Sequence, residues 1–116
     1  MSLNPSFTLR WLVQAGLGVL LVILLGVHLT VNHFAAPQRL LTYADVIRYF
    51  DVPEIAWMES AFLVVVTVHG ALGLHSILLD LNLPVRATRI GTVILALLCL
   101  TAIAYGLWLT QTIVAR

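Results

Sequence analysis

Three long stretches of the chain carry no Asp, Glu, Lys or Arg: the residues between Arg10 and Arg39, those from Ser60 to Leu79, and those from Ile90 to Ala115. Each is long enough to supply the roughly 20 residues, at ~1.5 Å apiece, that carry a helix across ~30 Å of hydrocarbon. The runs are continuously apolar and lack the period-two alternation of a barrel strand, so helices are the form in which their backbones are satisfied in lipid. The pattern predicts an all-α membrane protein with three transmembrane helices, over about 11–32, 54–80 and 87–114, the first starting as early as Phe7. The first run does not read as a cleaved leader, because its apolar part is too long and Phe34-Ala35-Ala36-Pro37 is a poor cleavage site.

One segment follows another rule. Leu40, Tyr43, Ala44, Ile47 and Phe50 recur at helical spacing while Asp45, Arg48 and Asp51 fall on other faces, which predicts a short amphipathic helix over about 42–50 lying along the interface. Thr42 with Asp45 three residues on makes a capping-box start. Pro37 marks a turn before it. Asp51-Val52-Pro53-Glu54 opens the second span, with Asp51 as the expected cap, and Asn82-Leu83-Pro84 closes it. The loop to the third span is short, so those two helices are antiparallel neighbours.

Composition supports the same solvent. The 116 residues are 61% hydrophobic and 9% charged, with a mean hydropathy of +1.05, against about 25% charged in a globular domain. That excludes a soluble domain and a disordered chain. A net charge of +1 leaves no basic footprint for nucleic acid. The lone Cys99 lies within the third run and reads as a packed side chain. Arg10, Arg86 and Arg89 fall on one side of the membrane and Arg39, Arg48 and Arg116 on the other; the charges nearest the first span and in the short loop favour a cytoplasmic N-terminus. Tyr105 and Trp108 read as interfacial anchors, and Ala102 with Gly106 as a small-residue pair for helix contact.

Three helices do not enclose an aqueous path, so the chemistry rests with the few ionisable groups in the membrane: His28 and His33 late in the first span, His69 in the middle of the second, His75 and Asp80 towards its end. Imidazole suits haem iron, and helix bundles hold haem through histidines on facing helices. Phe62, Val65, His69, Gly73, Ser76 and Asp80 share one helical face, where Gly73 would let a flat macrocycle approach the backbone; a histidine bonded to a neighbouring helix, with Gly73 as a close contact, is the alternative. If Trp11 and Asp80 mark one membrane face, His28 lies ~26 Å and His69 ~16 Å from it. Two ligands of one iron need nearly equal depth. Either each histidine serves a different haem with a ligand from a partner subunit, or only His69 is a ligand.

The segment from Val68 to Asp80 closely resembles the second-helix motif of the cytochrome b membrane-anchor subunits of succinate dehydrogenase and fumarate reductase, in which a haem-ligating His is followed by Gly four and Asp eleven residues on; His69, Gly73 and Asp80 match. The three-span plan, the length and the run from His28 to Phe34 are similar to the small anchor of bacterial complexes, so the resemblance covers essentially the whole chain as one anchor domain, 1–116. It implies a non-catalytic subunit of a succinate:quinone oxidoreductase in the bacterial cytoplasmic membrane. Its partners would be a flavoprotein subunit, an iron–sulfur subunit and a second cytochrome b anchor subunit. With that anchor it would hold haem b, one or two per complex, and help electrons reach quinone.

By the same resemblance His69 is an axial ligand, His28 the ligand of a distal haem or else a packed or quinone-pocket histidine, and Asp80 a residue near the quinone site. His33 is the alternative distal ligand. The sequence departs from the pattern at Leu81, where many small anchors have Tyr, and at His75, where related anchors have an Arg able to hold a haem propionate; His75 takes that role or bonds a loop. The interfacial helix shields a haem edge or simply connects. The competing assignments are a haem-free structural anchor of the same complex and a subunit of an unrelated di-haem cytochrome b.

Overall fold

The computed structural model describes residues 5–35 and 42–116. The turn at Pro37, Leu40 and Arg39 lie outside the described residues. Helix α1 spans Pro5–Thr30, α2 Tyr43–Phe50, α3 Pro53–Asp80 and α4 Val85–Val114, and there are no strands among the described residues. α1, α3 and α4 are long and apolar enough to cross a membrane.

The helix ends show the local chemistry. α1 does not stop at Asn32: a wider π turn, Val31–Ala35, carries the chain on from its end. The capping box of α2 forms in both directions, Asp45 N–H donating to Thr42 Oγ1 at 3.2 Å and Thr42 N–H to Asp45 Oδ2 at 3.0 Å. Asp51 does not cap α3. It closes α2, its N–H bonded to Ile47 O at 3.0 Å, and α3 begins at Val52 without a side-chain cap, because Pro53 in the first turn already removes one of the orphan donors. Asn82 takes the left-handed conformation, φ 49°, in the turn between α3 and α4, a region Asn tolerates.

α3 is the middle helix. It packs on α1 along one side and on α4 along the other, while α1 and α4 make no contact with each other among the described residues. α2 crosses the end where α1 finishes, α3 begins and α4 finishes. There it meets α3 and α4, and the Arg116 guanidinium donates to Tyr43 Oη at 2.5 Å. Among the described residues, only Tyr49, Ala56 and Val65 of the hydrophobic side chains are buried. A chain in water would expose this much apolar surface at great cost; one in lipid or against other subunits does not.

α2 turns part of its apolar stripe outward. Tyr43 is 60% exposed and Ala44 also faces out, whereas Tyr49 is buried at 8%. The reason is a hydrogen bond: Tyr49 Oη donates to Glu59 of α3, and that buried polar contact outweighs the apolar stripe, which can meet lipid instead.

Candidate functional site: two histidine clusters along the α1–α3 interface

α1 and α3 are apolar all round, so small and polar residues select the faces that meet. On α1 the half-buried positions include Gln14, Gly18, Leu21, Leu24 and His28; on α3 they include Glu59, Phe62, His69 and Gly73, with Val65 buried.

His69 lies in the middle of this interface with its imidazole against Gly18: a Cβ at Gly18 would sit 3.2 Å from Cε1 and 3.8 Å from Nδ1. Nδ1 is buried without a hydrogen-bond partner, as is Gln14 Oε1. Gln14 Nε2 donates to the His69 carbonyl at 3.2 Å. Each buried polar atom left unpaired costs about 1–3 kcal/mol, so this stretch favours anything that engages those two atoms. The space expected beside Gly73 is not open to a macrocycle from this side, because Gln14 Nε2 lies 3.4 Å from where its Cβ would be. The glycine notch that receives a ring is at Gly18, and the ring is that of His69.

His28 belongs to a second cluster where α2 crosses the bundle end. Its Nδ1 lies 2.8 Å and 2.9 Å from the two oxygens of Glu59, and its ring stacks on Phe62 with centroids 5.0 Å apart. Tyr49 Oη donates to the same carboxylate. Burial first, and then the bond and charge of Glu59, push the Tyr49 phenol well above the usual tyrosine range. Asn32 donates to the His28 carbonyl at 2.8 Å, its amide nitrogen lying 3.3 Å from Nδ1 and 3.4 Å from Nε2. Since His69 faces Gly18, the two histidines differ by about ten residues of α1, or ~15 Å in depth. They do not face a common iron.

At the opposite end a cavity of about 340 Å³ is lined by Arg10, Trp11, Gln14, His75, Ser76 and Asp80, among others. Trp11 and Asp80 thus mark the same face. His75 is half-buried and Asp80 exposed. His33 sits exposed on the π turn, edge-on to Phe34.

Among the described residues no group of three or more His, Cys, Asp or Glu is arranged for a bare metal ion. Haem asks the protein for one or two imidazoles only, and the residue types fit: two half-buried imidazoles lie along this seam, His69 with Nδ1 buried and unpaired against Gly18, and His28 with Nδ1 on Glu59. Sequence reasoning missed Glu59, Tyr49, Gln14 and Gly18. Glu59 was within reach, since it lies one turn before Phe62 on the stripe that runs to Asp80.

A spanning bundle with ionisable groups on its inner seam and hardly a core of its own defines a membrane subunit built to pack against others. Among known proteins, the chain is similar to the succinate dehydrogenase hydrophobic membrane anchor subunit of Archaeoglobus fulgidus, 33% identical over 105 residues that cover 90% of this chain and 89% of that protein. The subunit of the same name from Thermoplasma acidophilum is 31% identical over 96 residues, covering 80% and 76%. No family model and no solved structure matches. The chain belongs to the succinate dehydrogenase hydrophobic membrane anchor subunits.

Proposed function

We propose that this multi-pass anchor is a cytochrome b subunit. It binds haem b together with a second anchor subunit and helps electrons pass from an iron–sulfur subunit, reduced by a flavoprotein subunit, to quinone. The observation that carries the reading is the buried, unpartnered Nδ1 of His69 in its notch at Gly18. His69 is the axial ligand of one haem, and His28, too far away in depth to share it, is the ligand of a second. Bound haem supplies a one-electron site inside the membrane. His75 serves a propionate or the ligand's surroundings.

The cavity between Arg10 and Asp80 is the seat for a quinone head group. Its volume lies at the lower end of the ~300–1,000 Å³ range of ligand pockets. A quinone oxygen accepts hydrogen bonds, and the Arg10 guanidinium and the His75 imidazole are the donors on the cavity wall, with Asp80 beside them. These donors take the place of the missing tyrosine at Leu81. The end bearing Arg10, Arg86 and Arg89 faces the cytoplasm, where the iron–sulfur subunit docks.

The optical spectrum of the purified complex tests the reading. His69→Ala is expected to abolish one reduced-haem band; a complex with no such band, or one unchanged by the substitution, overturns it. The direct packing of Gln14 against Gly73 favours the second reading, a haem-free structural anchor, and the same spectrum decides between them.

A further inference from the structure

We propose that Glu59 is a positioning residue for His28, accepting the Nδ1 proton in a hydrogen bond so that Nε2 is the nitrogen presented to metal. The inference rests on the assignment of His28 to a second haem.

Three parts of the chain converge to make the arrangement: α1 and the π turn that continues it supply His28 and Asn32, α3 supplies Glu59 and Phe62, and α2 supplies Tyr49. Both carboxylate oxygens lie within 2.9 Å of Nδ1. An ionised carboxylate only accepts hydrogen bonds, so Nδ1 carries the hydrogen and a neutral imidazole keeps its lone pair on Nε2. Phe62 fixes the ring plane, its own ring inclined by 25° to that of His28. The Asn32 amide nitrogen, already bonded to the His28 carbonyl, lies about equally far from both ring nitrogens, 3.3 Å from Nδ1 and 3.4 Å from Nε2, and so leaves Nε2 without a close partner of its own. The pair is largely enclosed, the side chains being 30% and 14% exposed, where an acid facing lipid would be costly without a partner. A carboxylate on the far nitrogen of a ligating imidazole makes it a stronger donor and orients it. Stronger donation favours the oxidised metal and lowers its midpoint potential. Tyr49 acts in opposition, since its O–H draws charge from the same carboxylate.

Redox titrations of the intact complex, followed optically and by electron paramagnetic resonance, test this in Glu59→Gln, Tyr49→Phe and His28→Ala variants alongside haem per complex. Glu59→Gln is expected to keep the haem content, raise the midpoint potential of one haem and change its resonance signal. Tyr49→Phe is expected to move the same potential downward. His28→Ala is expected to remove that haem. If His28→Ala loses a haem but Glu59→Gln leaves both potentials and signals unchanged, the role of Glu59 is overturned while ligation by His28 stands. If His28→Ala leaves the haem count unchanged, the ligation falls and this inference with it. Should Glu59→Gln fail to assemble, the sign of the Tyr49→Phe shift decides: an upward or absent shift overturns the proposal.

Discussion

Gly18 and Gly73 are both half-buried glycines on the α1–α3 seam, yet they do different work. A methyl group at Gly18 would press on the His69 ring at 3.2 Å, whereas one at Gly73 would meet only the amide end of Gln14 at 3.4 Å. Gly18→Ala is therefore expected to displace the imidazole by a few tenths of an ångström and shift the haem band of the complex; Gly73→Ala is expected to change it less. A larger effect from Gly73→Ala in the reduced-minus-oxidised spectrum would reverse the assignment of the notch. The sequence made His28, His69, His75 and Asp80 visible because ionisable groups stand out in apolar runs. Glu59 did not stand out, since at the edge of a charge-free run an acid facing headgroups and an acid facing a histidine look alike. Gly18 was silent for another reason: a glycine acquires a role only when the opposing helix is known.

Between α3 and α4 the packing is leucine into glycine. Leu78 lies over Gly91, where a Cβ would come 2.8 Å from its Cδ2, and Leu63 lies even closer over Gly106. Gly106 does join the helices, as its spacing predicted, but Ala102 faces outward; the second glycine on that seam is Gly91. Gly106→Val is expected to splay α3 and α4 and destabilise the packing by about 1–3 kcal/mol, the usual range for overpacking. The check is a lower thermal midpoint of the detergent-solubilised complex with its haem spectrum retained, because the contacts described for His28 and His69 lie on the α1–α3 seam. The existence and approximate ends of all four helices were legible from apolar runs, Pro53, Pro84 and the Thr42 box. The rotation of α2 was not. Its stripe of Tyr43, Ala44 and Ile47 showed an apolar face, but in a membrane such a face has two acceptable neighbours, and the choice fell to the hydroxyl of Tyr49 and its carboxylate partner.

At the scale of the molecule, charge and aromatic side chains mark the two ends. Trp11, 62% exposed, lies at one end and Trp57, 79% exposed, at the other, as expected of residues anchored at the two interfaces. In a Cys99→Ala background, Leu83→Cys is expected to react with a membrane-impermeant maleimide added from the cytoplasmic side, and Val52→Cys from the opposite side; the reverse result would invert the proposed orientation. The row of helices with α3 in the middle also bears on how the protein is made. Each spanning helix contacts only the span before or after it in the chain, so no early segment has to wait for a distant one. The polar contacts of His28 and His69 are all in place once α3 has entered the membrane. α4 and the turn after it then bring Arg116 to Tyr43, fastening α2 over a seam that is already closed.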